Sequence, residues 1–382
     1  MTVATALVTG NDPLPHLAEQ AIHQALARAG LTHANGVLLF LTPEFARHAQ
    51  QTVTAVARAA QCTQIAGGIA SGVLTESGWA LDRPAVAVMV LGRGLSLGHP
   101  EAGKQPLLSY AGGSFPPDWS DSGTRFGGVF SGSFAASAGI AEAPVWQQSR
   151  LSEPPRCSVQ LLGADVDIGV SSGLQLLGEP QPVNSSKGYD LEKIGGHAAL
   201  KSLSRLLPPD LRQHLAQHLH QLGAVLIDDA NNATKALAEG RYRPIAIIAA
   251  NADNSLTLAE RVAPRQYLAW AIRQPIAAEA DMRQMLERLV EKSEQTEITT
   301  PPACALMFSC IGRGPYFYGG EDRDLDLLRE RFPRLPILGT YGTGQIAPTT
   351  RVAHYFNRQL QNAVVTALVT KHEQKAHVQS LT

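Results

Sequence analysis

The residues best placed for chemistry stand directly after an apolar run, in Ser309-Cys310-Ile311-Gly312-Arg313-Gly314-Pro315. Two glycines flanking an arginine let the backbone approach a ligand closely, and the guanidinium offers a forked cation for a carboxylate or phosphate. The same side chain could instead serve a structural salt bridge to a nearby acid such as Glu321 or Asp322. Cys310 is either a polar-tipped pocket wall or a thiol whose reactivity depends on its pKa. Two further glycine-rich segments carry Gly339, Tyr341, Gly342, Gly344 and Gln345, and Gly67, Gly68 and Ser71. With Cys310, Gly312, Arg313 and Gly314 they form the expected ligand-binding set, Arg313 being the expected anion anchor.

Other chemistry finds less support. Gly169-Val170-Ser171-Ser172-Gly173 matches the G-x-S-x-G elbow, which needs a helix after the serine. Gly178, Pro180 and Pro182 exclude that helix. A small-molecule hydrolase or transferase using Cys310 or Ser171 is therefore the alternative to a binding protein, and a purely adaptor role is a third reading. Neither nucleotide-binding glycine motif occurs, so no cofactor is expected. His214, His218 and His220 lack an acidic partner and read as solvated helix residues. Glu321, Asp322, Asp324 and Asp326 crowd a helix start, where they favour the positive end of its dipole rather than a metal. Cys62, Cys157, Cys304 and Cys310 are scattered, with neither zinc-ligand nor disulfide-framework spacing.

These residues must be positioned by a core, and the composition supplies one. The 382 residues are 44% hydrophobic and 17% charged, with 34 glycines and 24 prolines. Lys plus Arg (32) balances Asp plus Glu (33), which excludes the basic footprint of a nucleic-acid binder. No stretch of about 18 apolar residues and no leader pattern occurs, so a cytoplasmic chain off the membrane is expected.

Apolar runs at Ala4–Thr9, Gly36–Leu41, Ala85–Leu91 and Ala305–Cys310 read as strands, and Pro15–Ala29, Thr42–Ala60, Asp210–Leu222 and Arg323–Phe332 as helices. Asp165 and Asp167 alternate with Val166 and Ile168 as on a strand with one solvent face. The stretches Pro100–Asp121 and Gln148–Pro155 read as exposed loops. Strand, helix and glycine turn come in one order at Gly36–Leu74 and again at Ala305–Pro348, the trace of a duplicated unit. Pro208-Pro209 marks the expected start of the second half. The fold class is α/β (α+β): two related halves, each a mixed or antiparallel sheet flanked by helices, packed around a shared cleft.

The run Ala305-Leu306-Met307-Phe308-Ser309-Cys310-Ile311-Gly312-Arg313-Gly314, followed by Leu338 to Pro348, is similar to the signature of FIST C-terminal domains. Ile65–Leu74, Ser171–Gly178 and Leu191–Leu203 resemble the FIST N-terminal domain more loosely. The resemblance implies residues 1–207 as a FIST N-terminal-like and 208–382 as a FIST C-terminal-like domain. It implies a stand-alone sensory protein for a small ligand, an amino acid or carboxylate, with no enzymatic reaction. Gln345 stands where the family usually carries an acid, and Gln175 and Leu176 where it carries a cysteine and a basic neighbour, which implies a less cationic or differently shaped ligand. Any signal would leave through a protein partner or a homo-oligomer.

Overall fold

The computed structural model describes residues 2–101, 105–130, 142–227, 229–238, 241–295, 300–351 and 354–372. The chain forms two compact units, one of residues 1–171, 282–349 and 356–382, the other of 172–281 and 350–355. The larger unit repeats one strand plan three times. Its first copy runs β1 (Val3–Thr9), α1 (Pro15–Ala29), β2 (Gly36–Leu41), α2 (Ala49–Ala60), β3 (Ile65–Ile69), the hairpin β4 (Gly72–Thr75) and β5 (Gly78–Leu81), and β6 (Ala85–Leu91). The second runs β7 (Ser96–Gly98), β8 (Leu107–Gly112), β9 (Arg125–Phe130), the hairpin β10 (Val145–Gln147) and β11 (Arg150–Leu151), and β12 (Arg156–Leu162). The third opens with β13 (Ala164–Ser171) and is then interrupted by the smaller unit.

The smaller unit contains β14 (Leu174–Lys187), β15 (Asp190–Ile194), β16 (His197–Ala198), α3 (Ala199–Leu206), α4 (Pro209–Gln213), α5 (Leu215–His218), β17 (Leu222–Ile227), α6 (Ala233–Ala238), β18 (Tyr242–Ala250), β19 (Leu256–Leu258) and β20 (Tyr267–Arg273). Its strands run in the order β14-β20-β17-β18-β19-β15-β16, and β14 also pairs with β15, closing a ring of antiparallel strands. Closure leaves few free edges, and Leu203, Leu226, Leu268 and Trp270 fill the interior. The chain re-enters the larger unit through α7 (Pro275–Gln295), then β21 (Cys304–Cys310), α8 (Arg323–Arg331), β22 (Ile337–Gly342), the hairpin β23 (Gly344–Arg351) and β24 (His354–Leu360), and β25 (Val364–Lys371).

In every copy the last strand pairs antiparallel with the first and second, and the second and third are parallel. The hairpins are exchanged in a cycle: β4–β5 extends β22, β10–β11 extends β3, and β23–β24 extends β9. Three six-stranded mixed sheets result. They share a central core in which Phe40, Tyr110 and Phe308, the fourth paired residues of β2, β8 and β21, meet at ring-centroid distances of 5.2, 5.9 and 6.3 Å. Aromatic contacts of this kind contribute about 0.5–1.5 kcal/mol each beyond the area they bury.

Strand alternation sends the intervening residues outward. Val37, Leu39 and Leu41 pack under α1 and α2, and Ala305 and Met307 under α7 and α8. In the second copy Trp119 covers part of the outer face, with the Arg125 guanidinium 4.7 Å from its ring centre. The third paired residue of β3, β9 and β22 is glycine each time, opposite Leu39, Ser109 and Met307. A Cβ on Gly67, Gly127 or Gly339 would lie 1.8, 2.0 or 2.1 Å from the carbonyl oxygen of that partner.

Both copies of the repeat read from the sequence lie in the larger unit, and β3–β4 and β22–β23 follow the same order in their copies. The compact units do not divide at 207/208, because α3 and the strands on either side of that point share the core of the smaller unit. Pro100–Asp121 is not an exposed loop throughout, since Leu107–Gly112 is the fully buried β8. The helix expected from Thr42 starts as a 3-10 segment at Pro43–His48, and the one expected over Asp210–Leu222 breaks into α4, α5 and a further 3-10 turn. Gly127→Ala is expected to lower the unfolding free energy by about 3 kcal/mol or more. Gly30→Ala, in a left-handed helix cap with nothing within 4 Å, should cost only about 1 kcal/mol. Urea unfolding of the two variants checks the difference.

Candidate functional site

Arg313 follows β21 directly, and its side chain is 1% exposed. Nε donates to Asp324 Oδ2 at 2.9 Å and Nη2 to Asp324 Oδ1 at 2.8 Å, while Nη1 and Nη2 donate to the Ser171 carbonyl at 2.9 Å and its hydroxyl at 2.8 Å. Tyr318 donates to Asp324 Oδ2 at 2.9 Å. Burial pulls the Arg313 pKa down, but the charge of Asp324 and then Tyr318 more than offsets it, so the guanidinium stays charged. The expected anion anchor is thus a structural cation: its fork is filled by a carboxylate eleven positions along the chain. The salt bridge weighed for it exists, with Asp324 in place of Glu321 or Asp322. Ser171 is held in the same network and accepts from a cation, an arrangement that does not activate a nucleophile.

The expected glycine-lined cleft is filled by protein. Gly72 and Gly314 lie against the buried Tyr341 ring, where added Cβ atoms would come 2.9 and 3.2 Å from it. Gly68 and Gly342 flank Phe130, with Cβ positions 2.9 and 3.4 Å from its ring. Gly67 and Gly339 press on backbone carbonyls, Gly344 on the Gln359 side chain, and Gly312 lies beside Asn362. Cys310 is buried, its thiol 3.8 Å from Asn362 Oδ1. Ser71 is half-buried in the turn between β3 and β4. Apart from Ser71 and the exposed Gly312, these residues serve packing, since protein atoms occupy the space a side chain would need.

Gln345 is the exception. It is fully buried on β23, and neither amide atom has a partner among the described residues. It pairs with Gly128, which in turn pairs with Tyr110, whose hydroxyl is also buried without a partner. At the positions equivalent to Gln345 the other two exchanged hairpins carry Val73, opposite Thr340, and Val145, opposite Gly68. Gln345 therefore sits in the central core, over Gly128.

Asp322 caps α8 by accepting from the Leu325 N–H at 3.0 Å, and it also accepts a short hydrogen bond from Tyr341. Burial pushes its carboxyl up to about 7, the charge of Asp324 adds to this, and the Tyr341 and Leu325 bonds oppose it. The cluster of acids at this helix start therefore caps α8 and pairs Arg313, as the dipole argument expected.

A cavity of about 460 Å³ lies at the other end of α8, lined by Glu76, Asp326, Arg329, Glu330, Phe332, Arg334 and Leu335. Glu76 reaches it from the β4–β5 turn, where it accepts from the Thr5 hydroxyl and, at 2.9 Å, from the Ile337 N–H. Arg329 pairs with Asp326 at 3.4 Å and Arg283 with Glu330 at 3.6 Å. Arg334, in a left-handed turn at φ 69°, is exposed and has no ion-pair partner among the described residues. This pocket lies away from the glycine-rich strand ends that the sequence pattern marks. Arg334 itself, between Phe332-Pro333 and Leu335-Pro336, belongs to no recognisable motif. Among the described residues no cluster of three or more His, Cys, Asp or Glu could hold a metal, and no helix is long and apolar enough to cross a membrane.

In this mixed α/β chain residues 199–348, from α3 to β23, match the FIST C domain family. It is 27% identical over 194 residues to an uncharacterized protein of Mycobacterium tuberculosis, covering 50% of this chain and 48% of that protein. An uncharacterized protein of Mycobacterium bovis is 27% identical over 183 residues, covering 47% and 45%. The chain thus spans about half the length of the curated relatives it matches.

Gln345→Val, which places the residue of the sister hairpins over Gly128, is expected to raise stability by about 1–3 kcal/mol in urea unfolding, because it removes an unpaired buried amide without losing volume. Asp322 has a folded pKa above its unfolded value, so between about pH 4 and pH 7 the folded state binds more protons and stability falls as pH rises. Asp322→Asn should flatten that part of the stability-versus-pH curve, measured by thermal unfolding from pH 4 to 8.

Proposed function

We propose that this chain is a small-ligand-binding sensory protein whose ligand, an amino acid or small carboxylate, seats in the pocket beside the C-terminus of α8. The observation that carries the reading is Arg334, a guanidinium with no ion-pair partner among the described residues, on a cavity otherwise lined by three acids, a paired arginine and two apolar side chains. A zwitterion matches that lining: its carboxylate takes the Arg334 fork, its ammonium the Glu330 side, and its side chain the surface of Phe332 and Leu335. The pocket lies within the FIST C match apart from Glu76. The family's sensory character supports binding rather than turnover.

On this reading the FIST C-terminal-like part is the matched stretch 199–348, and the protein works in the cytoplasm. The signal passes to a protein partner or through homo-oligomerisation. A screen of amino acids and small carboxylates by thermal shift tests the proposal. A ligand at about 100 times its dissociation constant should stabilise the fold by about 2.7 kcal/mol. Arg334→Ala should weaken that ligand about tenfold or more while leaving the unliganded melting temperature unchanged. Equal affinity in the variant would contradict the assignment.

A further inference from the structure

The smaller unit carries a second cavity, of about 300 Å³, whose charge differs in kind from the first. It is lined by Leu200, Lys201, Ser204, Arg205, Arg212 and Asn254, three cations and no carboxylate. Lys201 and Arg205 stand four residues apart on α3 and so share a helix face, with Ser204 beside them. Arg212 comes from α4, and its Nη2 donates to the Leu207 carbonyl at 3.0 Å, which fixes the guanidinium against the turn between the helices. Asn254 sits in a left-handed turn at φ 66°, and its carbonyl accepts from the Leu200 N–H at 3.0 Å. Neither Lys201 nor Arg205 has an ion-pair partner among the described residues.

Three like charges around one concavity repel each other, whereas other arginines of the chain are paired with acids, as at Arg243–Glu260 and Arg331–Glu287. The helix beneath is rigidly seated: the indole N–H of Trp270 donates to the Ser202 hydroxyl at 3.0 Å, which donates to Gln181 at 3.0 Å, and Leu203 is fully buried. We infer that this cavity is a binding site for a phosphate-bearing small molecule, distinct from the pocket at Arg334. A charge of three positives matches a dianionic or trianionic phosphate group better than a single carboxylate. The two guanidiniums supply forks for its oxygens, Lys201 a point charge, and the Asn254 side chain a polar contact. The volume exceeds what bare phosphate needs and accommodates the organic part of a phosphomonoester, with Leu200 against it.

Titration calorimetry of the full chain with pyrophosphate, glycerol phosphate and succinate tests the inference. Pyrophosphate and glycerol phosphate should bind saturably and more weakly as salt is raised, and succinate at least about tenfold more weakly than pyrophosphate. The double variant Lys201→Gln/Arg205→Gln should lose phosphate binding about tenfold or more, whereas Arg334→Ala should keep it. Because a double variant could disturb α3, a second readout uses the wild-type chain: pyrophosphate should protect Lys201 from chemical acetylation, followed by mass spectrometry. Absence of saturable phosphate binding, equal binding of succinate, unchanged binding in a folded double variant, or unprotected Lys201 would each overturn the inference.

Discussion

Three carbonyl oxygens set the shape of the larger unit. Those of Leu39, Ser109 and Met307 lie so close to Gly67, Gly127 and Gly339 that no side chain fits between the parallel strands. That close approach leaves the glycine position open to the exchanged hairpin, whose Trp146, Ile346 and Leu74 stand opposite the three glycines. Each sheet is completed by a strand pair from a different copy, so the three copies cannot separate without unpairing hairpins. The neighbouring row then brings Phe40, Tyr110 and Phe308 together in the shared core.

The same constraint explains why the glycine-rich signature is not a ligand cleft. A segment such as Leu338-Gly339-Thr340-Tyr341-Gly342 removes side chains where other protein atoms must come close, and the vacated volume is taken by Tyr341, Phe130 and main-chain oxygens. The polar members follow suit. Arg313, Asp324 and Ser171 tie the end of β13 to the end of β21 and the first turn of α8 through charge-assisted hydrogen bonds. Removing one member of such a buried pair typically costs about 3–5 kcal/mol, because its partner is left as an uncompensated charge.

Much of the fold was legible. Continuous apolar runs marked the buried strands β2, β6 and β21, and the capping pattern of Pro15–Gly30 marked α1. The duplication showed because strand, helix and glycine turn recur with similar spacing. The second copy did not show, since between β8 and β9 the chain has no α-helix among its described residues and only Phe126-Gly127-Gly128 betrays the motif. The smaller unit also escaped notice as an insertion, because local patterns do not reveal that β13 and β21 flank the same partner, β25. At the site, the sequence could show that Arg313 had a fork to fill, but which acid filled it depended on the turn after β21. Arg334 carried no motif and became a candidate only through the cavity around it.

In the function proposed above, the ligand seats at the C-terminal end of α8 rather than among the glycine turns. Crystals of the chain grown with the amino acid that gives the largest thermal shift would decide between the two places. The expected result is ligand density with its carboxylate on Arg334 and its side chain against Phe332 and Leu335. Density beside Cys310, Gly342 and Gln345, with Arg313 released from Asp324 to hold the carboxylate, would contradict it.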